Sequence, residues 1–321
     1  LSYEKGVIGI TEGLSAAFYG RIDSDQSTDF VTTPYQNNTN LIVYRKALGI
    51  SGIQELLLGN APTPAVLTDL DKDGDLDIVS SDRASGQVVT FLNDGTGLYG
   101  VGQFYVSGAG VGPTSIDDLN GDGYPDVVVA NETARTVSIF LNDRKGRLGV
   151  PSSLAVTNGT NPFRVALTHA TLDDKLDLAF ADRVDGNLKL VLNQGGTLPT
   201  DDSLALKHAL GGPPGPIVQA DLDGDGLDDL ILPIETKNSV RVFFSGNRMA
   251  YIPREIASCT APRAVGVSDV DCDGRADLII GCNNGAKPVV SFMLQKPGGV
   301  FVEGYSTPLS AEITDIQNLS V

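Results

Sequence analysis

Asp69, Asp71, Asp73, Asp75 and Asp77 occupy alternate positions of one nine-residue stretch, DLDKDGDLD, with Gly74 at its sixth position. Carboxylates this close repel one another. A pair about 4 Å apart near a protein surface costs about 4 kcal/mol. A hard divalent cation removes that repulsion, and Ca²⁺ takes six to eight oxygens from loops that offer them at alternate positions. A glycine at the sixth position permits the sharp turn that a Cβ would resist. The bland alternative is a solvated acidic turn that holds no ion.

An EF-hand would need a glutamate at position 12 and a helix on each side. Position 12 is Ser80, and the flanks PAVLTD and DIVSS are strand-like. The ligand set must therefore close at position nine, on Asp77, with a strand starting at once.

The loop recurs as Asp118–Asp126 (DLNGDGYPD), Asp221–Asp229 (DLDGDGLDD) and Asp269–Asp277 (DVDCDGRAD). Two degenerate copies, Arg21–Asp29 and His169–Asp177, fill the gaps. The closing aspartates Asp29, Asp77, Asp126, Asp177, Asp229 and Asp277 are spaced by 48, 49, 51, 52 and 48 residues. A regular period of this size marks a repeat architecture.

The elements that must position these loops read alike in every repeat. An apolar strand enters the loop (PTSIDDL, PRAVGVSDV), and a second leaves it (DIVSS, DVVVAN, DLAFAD, DLILPI, DLIIGC). A third alternates (QVVTFLN, TVSIFLN, NLKLVLN, SVRVFFS, PVVSFML), and a turn such as Asn93-Asp94-Gly95 leads to a fourth. Four strands in about 50 residues make a propeller blade.

The pattern D-x-D-x-D-G-x-x-D at this period resembles the FG-GAP/VCBS repeat family, the calcium-bearing blades of integrin α-subunit propellers. The opening GVIGITEGLSAAFYGRIDSDQSTDF is also similar to the first blade of the T-cell immunomodulatory protein family. The resemblance covers essentially the whole chain. It implies an all-β propeller of four-stranded antiparallel blades in a single domain, 1–321. Full repeats span about 14–306, with 1–13 and 307–321 contributing to a closing, incomplete seventh blade.

Ligation is expected from side chains at positions one, three, five and nine and from the carbonyl at position seven. The first loop then offers Asp69, Asp71, Asp73 and Asp77 with the carbonyl of Asp75. The second offers Asp118, Asn120, Asp122 and Asp126 with that of Tyr124. The third offers Asp221, Asp223, Asp225 and Asp229 with that of Leu227. The fourth offers Asp269, Asp271, Asp273 and Asp277 with that of Arg275. About four structural Ca²⁺ ions are expected, and no ion in the degenerate loops. Arg21 brings a cation for Asp23 and Asp25, and His169 and Thr171 replace two carboxylates, leaving His169 a neutral filler.

The chain is 321 residues long with a formal charge of −17. Four divalent ions add eight positive charges, which would leave −9. The acidity excludes nucleic acid and anionic membranes as favoured partners. No apolar run approaches the roughly 18 residues of a membrane span, so no direct membrane insertion is expected. No signal peptide is visible at Leu1, which reads as a mature or trimmed start. Loops of this kind suit extracellular calcium, and an extracellular location, secreted or on the cell surface, is the expectation.

The three cysteines, Cys259, Cys272 and Cys282, are either small buried residues or one disulfide with a spare thiol. Under the propeller topology, Cys259 precedes the first strand of the last full blade and Cys282 ends its second. Antiparallel pairing then joins Cys259 to Cys282 and leaves Cys272 in the loop at the far end.

Sequons at Asn37, Asn131, Asn158 and Asn318 are candidate glycosylation sites. The resemblance puts partner binding on the face opposite the loops, which would carry Asp82, Arg83, Glu132, Arg135, Asp182, Arg183, Asp185 and Lys237. Ordinary solvated charge is the competing reading for each of these. A non-catalytic role in binding a protein or a cell-surface or matrix component is expected. A lectin-like carbohydrate binder, using tyrosines such as Tyr99 or Tyr124, is the alternative. A polysaccharide lyase or hydrolase fits less well, because the chain has two histidines and no nucleophile motif.

Overall fold

A computed structural model describes residues 14–20, 22, 29–34, 39–46, 49–157, 161–171, 173, 175–193, 198–245, 252–284 and 287–308. Of the segments expected in a closing blade, 1–13 and all of 307–321 but its first two residues lie outside these, as do most of the first degenerate loop and the sequons Asn37, Asn158 and Asn318. Residues 307 and 308 instead end the last strand of the sixth sheet.

The described residues form six four-stranded antiparallel sheets, each with its strands in chain order. β1 (Leu14–Gly20), β2 (Asp29–Pro34), β3 (Thr39–Lys46) and β4 (Gly49–Leu57) make the first. β5 (Val66–Thr68), β6 (Asp77–Asp82), β7 (Gln87–Phe91) and β8 (Gln103–Val106) make the second. The third holds β9 (Val111–Asp117), β10 (Asp126–Asn131), β11 (Thr136–Phe140) and β12 (Ser152–Ala155). The fourth holds β13 (Pro162–Thr168), β14 (Asp177–Asp182), β15 (Asn187–Val191) and β16 (Leu206–Ala209). β17 (Val218–Ala220), β18 (Asp229–Ile234), β19 (Ser239–Phe244) and β20 (Ile252–Ala257) form the fifth. β21 (Pro262–Ser268), β22 (Asp277–Asn284), β23 (Lys287–Lys296) and β24 (Val300–Pro308) form the sixth. This is the four-stranded antiparallel blade form the repeats predict.

The chain divides into two compact units, 1–118 with 122–153, and 119–121 with 154–321. Within each unit, apolar side chains of successive sheets share a core. In the first unit, Leu70, Val79 and Val88 pack with Val127, Val129 and Phe140. In the second, Ile231, Val240 and Val242 pack with Val265, Leu278 and Ile280. Strands β6, β10, β14 and β18 are buried along their whole length, whereas β8 and β16 alternate half-buried with exposed. A strand covered on both faces needs a continuous apolar run, and DVVVAN and DLAFAD supply it. Each buried Val, Leu or Phe contributes roughly 1.5–3 kcal/mol.

The closing aspartate fastens each loop to its sheet. Asp77 accepts the N–H of Leu70 at 2.8 Å on one oxygen and that of Asn93 at 2.8 Å on the other. Asp229 does the same with Leu222 (2.9 Å) and Ser245 (2.8 Å), and Asp277 with Val270 (2.9 Å) and Gln295 (2.7 Å). Asp126 and Asp177 accept Asn142 and Asn193, both at 2.8 Å. All five are buried.

An amide side chain at or just after the end of the third strand links successive repeats in four of them. Asn93 donates its side-chain amide to the carbonyl of Ile22 (2.8 Å), Asn142 to that of Leu70 (2.8 Å), and Gln295 to that of Leu222 (2.7 Å). Inside the second unit, Asn193 reaches the carbonyl of Leu119 at 3.4 Å. Each acceptor is the second residue of the preceding loop, with its apolar side chain buried. The three asparagines also donate to their own loops, at the carbonyls of Leu76 (3.2 Å), Pro125 (2.9 Å) and Leu176 (3.1 Å).

Replacing this residue leaves two buried carbonyls without a donor. Asn142→Ala is therefore expected to lower stability by roughly 2–4 kcal/mol. Urea unfolding measures it, and a loss under about 0.5 kcal/mol would mean the amide does not hold the repeats together.

Candidate metal centres

The four intact loops share one backbone path. Position six is left-handed at Gly74 (φ 99°), Gly123 (91°), Gly226 (84°) and Gly274 (82°). Position four is left-handed too, at Lys72 (62°), Gly121 (74°), Gly224 (79°) and Cys272 (59°). The reading of the sequence found only the sixth. A non-glycine residue in this region costs roughly 1–2 kcal/mol, which Lys72 and Cys272 bear. The aspartate at position five tightens the turn by accepting the N–H of position seven: Asp73 from Asp75 (3.0 Å), Asp122 from Tyr124 (3.0 Å), Asp225 from Leu227 (2.9 Å) and Asp273 from Arg275 (3.1 Å).

These turns gather carboxylates. Asp69, Asp71 and Asp77 each place an oxygen within 4.8 Å of the other two. Asp221, Asp223 and Asp225 do so in the third loop, and Asp269, Asp271 and Asp273 in the fourth. In the first loop, Oδ1 of Asp69 and Oδ1 of Asp71 are buried with no hydrogen-bond partner. Two anionic oxygens side by side, out of water and unpartnered, form an arrangement that a hard divalent cation completes. The donors are all oxygen, which suits such a cation and not a soft metal.

Position nine has a second task that the sequence reading did not assign. Asp77, Asp229 and Asp277 each spend both oxygens on backbone N–H groups and offer an ion only their remaining lone pairs. In the third and fourth loops the gathered trio is positions one, three and five.

The loops differ in how their charge is offset. Arg144 donates to Asp122 at 3.1 Å in the second loop. In the fourth, Arg275 pairs with Asp273 and Lys296 with Asp271 at 3.2 Å. Lys296 and burial act oppositely on Asp271, and its carboxyl lies below the usual range. Asp71 and Asp223 are raised, first by burial and then by the neighbouring carboxylates Asp73 and Asp225. The first and third loops thus carry more unoffset charge. A cavity of about 580 Å³ opens between the third and fourth loops, lined by Asp221, Asp223, Phe244, Arg254, Arg275 and Lys296 among others.

Several expected roles change. His169 does not fill a lapsed pocket. Its N–H donates to Asp228 of the next loop at 3.1 Å, and its ring Nδ1 lies 3.5 Å from the same carboxylate. Asn131 is fully buried at the end of β10, where its amide donates to Thr136 (3.0 Å) and Ser138 (2.8 Å) and accepts from Ser107 (2.8 Å). No glycan fits there, so the expected modification at Asn131 is withdrawn. Tyr99, expected on the surface, is buried, and its hydroxyl donates to the carbonyl of Leu76 at 2.9 Å. Asp82 and Asp182 are buried rather than displayed, and Arg83 pairs with Glu132.

Cys259 and Cys282 are joined, with Cα atoms 6.0 Å apart, and Cys272 is exposed and free. Cys282 stands five residues after its closing aspartate, where other repeats have Asp82, Asn131 and Asp182. Pro262 pairs with Cys282 as Pro162 pairs with Asp182 and Pro62 with Asp82. The disulfide replaces a polar staple at one register position. Asp82 shows that staple, accepting the N–H groups of Ala61 (2.8 Å) and Ala84 (3.1 Å).

Residues 118–168 and 221–280 match the family described as FG-GAP-like repeat. No curated protein sequence matches the chain. Virginiamycin B lyase from Staphylococcus aureus is similar in structure, with a TM-score of 0.58 and 15% identity over 94% of this chain and 85% of that one. A histidine-to-alanine variant of the lyase, catalytically inactive and solved with quinupristin, gives 0.56 and 15% over 91% and 83%. A protein from Bacteroides uniformis, provisionally described as a 6-phosphogluconolactonase, gives 0.62 and 11% over 90% and 84%. At such identities the likeness shows the fold alone, a β-propeller, and the FG-GAP-like repeats are matched in two places along it.

Burial pushes Asp77 up to about 7, and Asp177 and Asp229 to about 6. Each is protonated more readily folded than unfolded, so the stability they contribute is full below about pH 4 and is lost as the pH rises through 6 and 7. His208, lowered by burial, opposes this below its ordinary 6.5 but is one group against several. The metal-free chain should melt at a lower temperature at pH 8 than at pH 5, and a divalent cation should narrow the gap. A higher melting point at pH 8 without metal would contradict it. Removing the cation that competes at the fourth loop, by Lys296→Met, should tighten divalent-cation binding at that loop, as read by calorimetry. Unchanged or weaker binding would show that Lys296 does not compete.

Proposed function

We propose that this chain, an FG-GAP-repeat β-propeller, is an extracellular, calcium-stabilised scaffold that binds a protein partner and carries out no catalysis. The observation that carries the reading is the first loop, where the buried, unpartnered oxygens of Asp69 and Asp71 lie beside Asp77. Calcium would be held there by Asp69, Asp71 and Asp77, in the third loop by Asp221, Asp223 and Asp225, and in the fourth by Asp269, Asp271 and Asp273. When bound it supplies positive charge that offsets the carboxylates, and its binding energy adds to folding energy.

A structural rather than catalytic part is supported by how the polar groups are used. Closing aspartates are tied to backbone N–H groups, and position-five aspartates to their own turns. Both histidines have other contacts: His169 faces Asp228, and His208 packs edge-on against Phe243 with ring centroids 5.6 Å apart. General acid–base chemistry needs a positioned group near its working pH beside a substrate site, and neither histidine is placed for it.

An extracellular setting is supported by the Cys259–Cys282 bond, since such bonds persist in oxidising compartments. Among the described residues no helix is long and apolar enough to cross a membrane. Carbohydrate binding is the weaker reading, because Tyr99 is buried and Trp is absent.

Calcium-loaded chain applied to arrays of extracellular proteins and of glycans tests the proposal. Saturable binding to a protein, abolished by EGTA together with a fall in melting temperature, is expected. Saturable binding to glycans alone, or a melting temperature indifferent to EGTA, would overturn it.

A further inference from the structure

A second cavity, of about 270 Å³, lies in the second unit. Its walls come from the start of β13, the turn after β14, the Pro213–Pro216 loop, the turn after β18 and the start of β21. Strand direction places all of these at the sheet ends opposite the acidic loops.

Its charge runs against that of the molecule. Arg164, Arg183 and Arg263 line it, with Glu235 as the acidic residue. The lining therefore has a formal charge of +2 in a chain of −17. The guanidinium of Arg183 lies over the ring of Phe163, 3.2 Å from its centroid, and that of Arg164 lies 5.0 Å from it. Arg263 pairs with Glu235 at 2.7 Å, and both side chains remain about half exposed, at 50% and 44%. Prolines supply much of the remaining wall and contribute no N–H. Gly215 lets the loop seat tightly: a Cβ there would lie 2.6 Å from Cγ of Pro233 and 3.2 Å from the carbonyl oxygen of Arg263.

We propose that this cavity binds a carboxylate presented by a short acidic peptide segment of the partner. The inference rests on the protein-binding reading above and specifies where and how that binding occurs. Planar guanidinium groups recognise carboxylates through paired N–H donors. Phe163, the one aromatic in the lining, has Arg183 over its face, so the bare ring that a sugar would stack on is not presented. A long polyanion would meet the negative field of the rest of the chain. A short acidic segment would not, because screening limits that field to about 8 Å at physiological salt.

Fluorescein-labelled tetraglutamate, tetraglutamine and a tetragalacturonate provide the test, by anisotropy in about 0.15 M salt. Saturable binding of tetraglutamate is expected, with none of tetraglutamine. The affinity should fall at least about tenfold in the Arg164→Gln/Arg183→Gln double variant. Arg263→Gln leaves the Phe163 stack in place and should weaken binding at least about threefold, which keeps the test decisive if the double variant does not fold. Affinities unaffected by these substitutions, or equal for tetraglutamine, would overturn the assignment. Tighter binding of the galacturonate would overturn it in favour of an acidic carbohydrate. A protein found on the arrays whose binding ignores all three arginines would remove the pocket and leave the protein-binding reading standing.

Discussion

A buried carboxylate that accepts backbone N–H groups from two separate parts of the chain sets the geometry of the repeats. In the Asp77, Asp229 and Asp277 repeats one N–H comes from the second residue of the loop and the other from the end of the third strand. The aspartate thereby fixes where the loop sits relative to the sheet. Hydrogen bonds to a charged acceptor are worth roughly 1.5–3 kcal/mol each, and more is lost when a buried partner is removed. Burial works against this by favouring protonation, as the raised carboxyls of Asp77, Asp177 and Asp229 show. A cation among the neighbouring carboxylates would shift the balance back towards the ionised form.

Two loop positions survive in both degenerate copies. Position nine is aspartate in all six copies, and so is position five, including Asp173 and Asp25. Asp173 accepts the N–H of Lys175 at 3.2 Å, as its counterparts do in the intact loops. Positions one and three vary to Arg21, His169 and Thr171, although in the intact loops the position-one aspartate also ties the turn. Asp221 accepts the N–H groups of Gly224 (2.7 Å), Asp225 (3.2 Å) and Gly226 (3.0 Å), and Asp269 those of Asp273 (3.0 Å) and Gly274 (2.9 Å). In the His169–Asp177 loop the two retained aspartates, Asp173 and Asp177, keep their bonds to the backbone although positions one and three are no longer carboxylates.

The second task, joining one repeat to the next, falls to a side-chain amide. Asn93, Asn142 and Asn193 stand 16 residues after their closing aspartates, and Gln295 stands 18 after Asp277. At the corresponding place in the fifth repeat is Ser245, whose hydroxyl reaches Asp225 (3.4 Å) and Asp229 (3.3 Å) within its own repeat. The longer amides reach the preceding loop, and the serine does not. The asparagine that ends QVVTFLN, TVSIFLN and NLKLVLN was a visible signal, but without the register it reads only as a turn residue.

Repeat length, strand number, the four intact loops and the Cys259–Cys282 pairing were legible in the chain, because each follows from local periodicity. Apolar alternation marks strands, alternating carboxylates mark loops, and antiparallel pairing brings residues 23 apart together. What lay beyond reach depended on which side of a strand or turn a residue faces. Asn131 looked like an accessible sequon and is a buried hydrogen-bonding centre; Tyr99 looked like a surface ring and is part of a core. The arginine-lined cavity could not be read from sequence, since its walls come from segments as far apart as Phe163 and Arg263. Sequence carries the local pattern of each repeat, whereas burial and the meeting of distant side chains are settled only when the sheets pack.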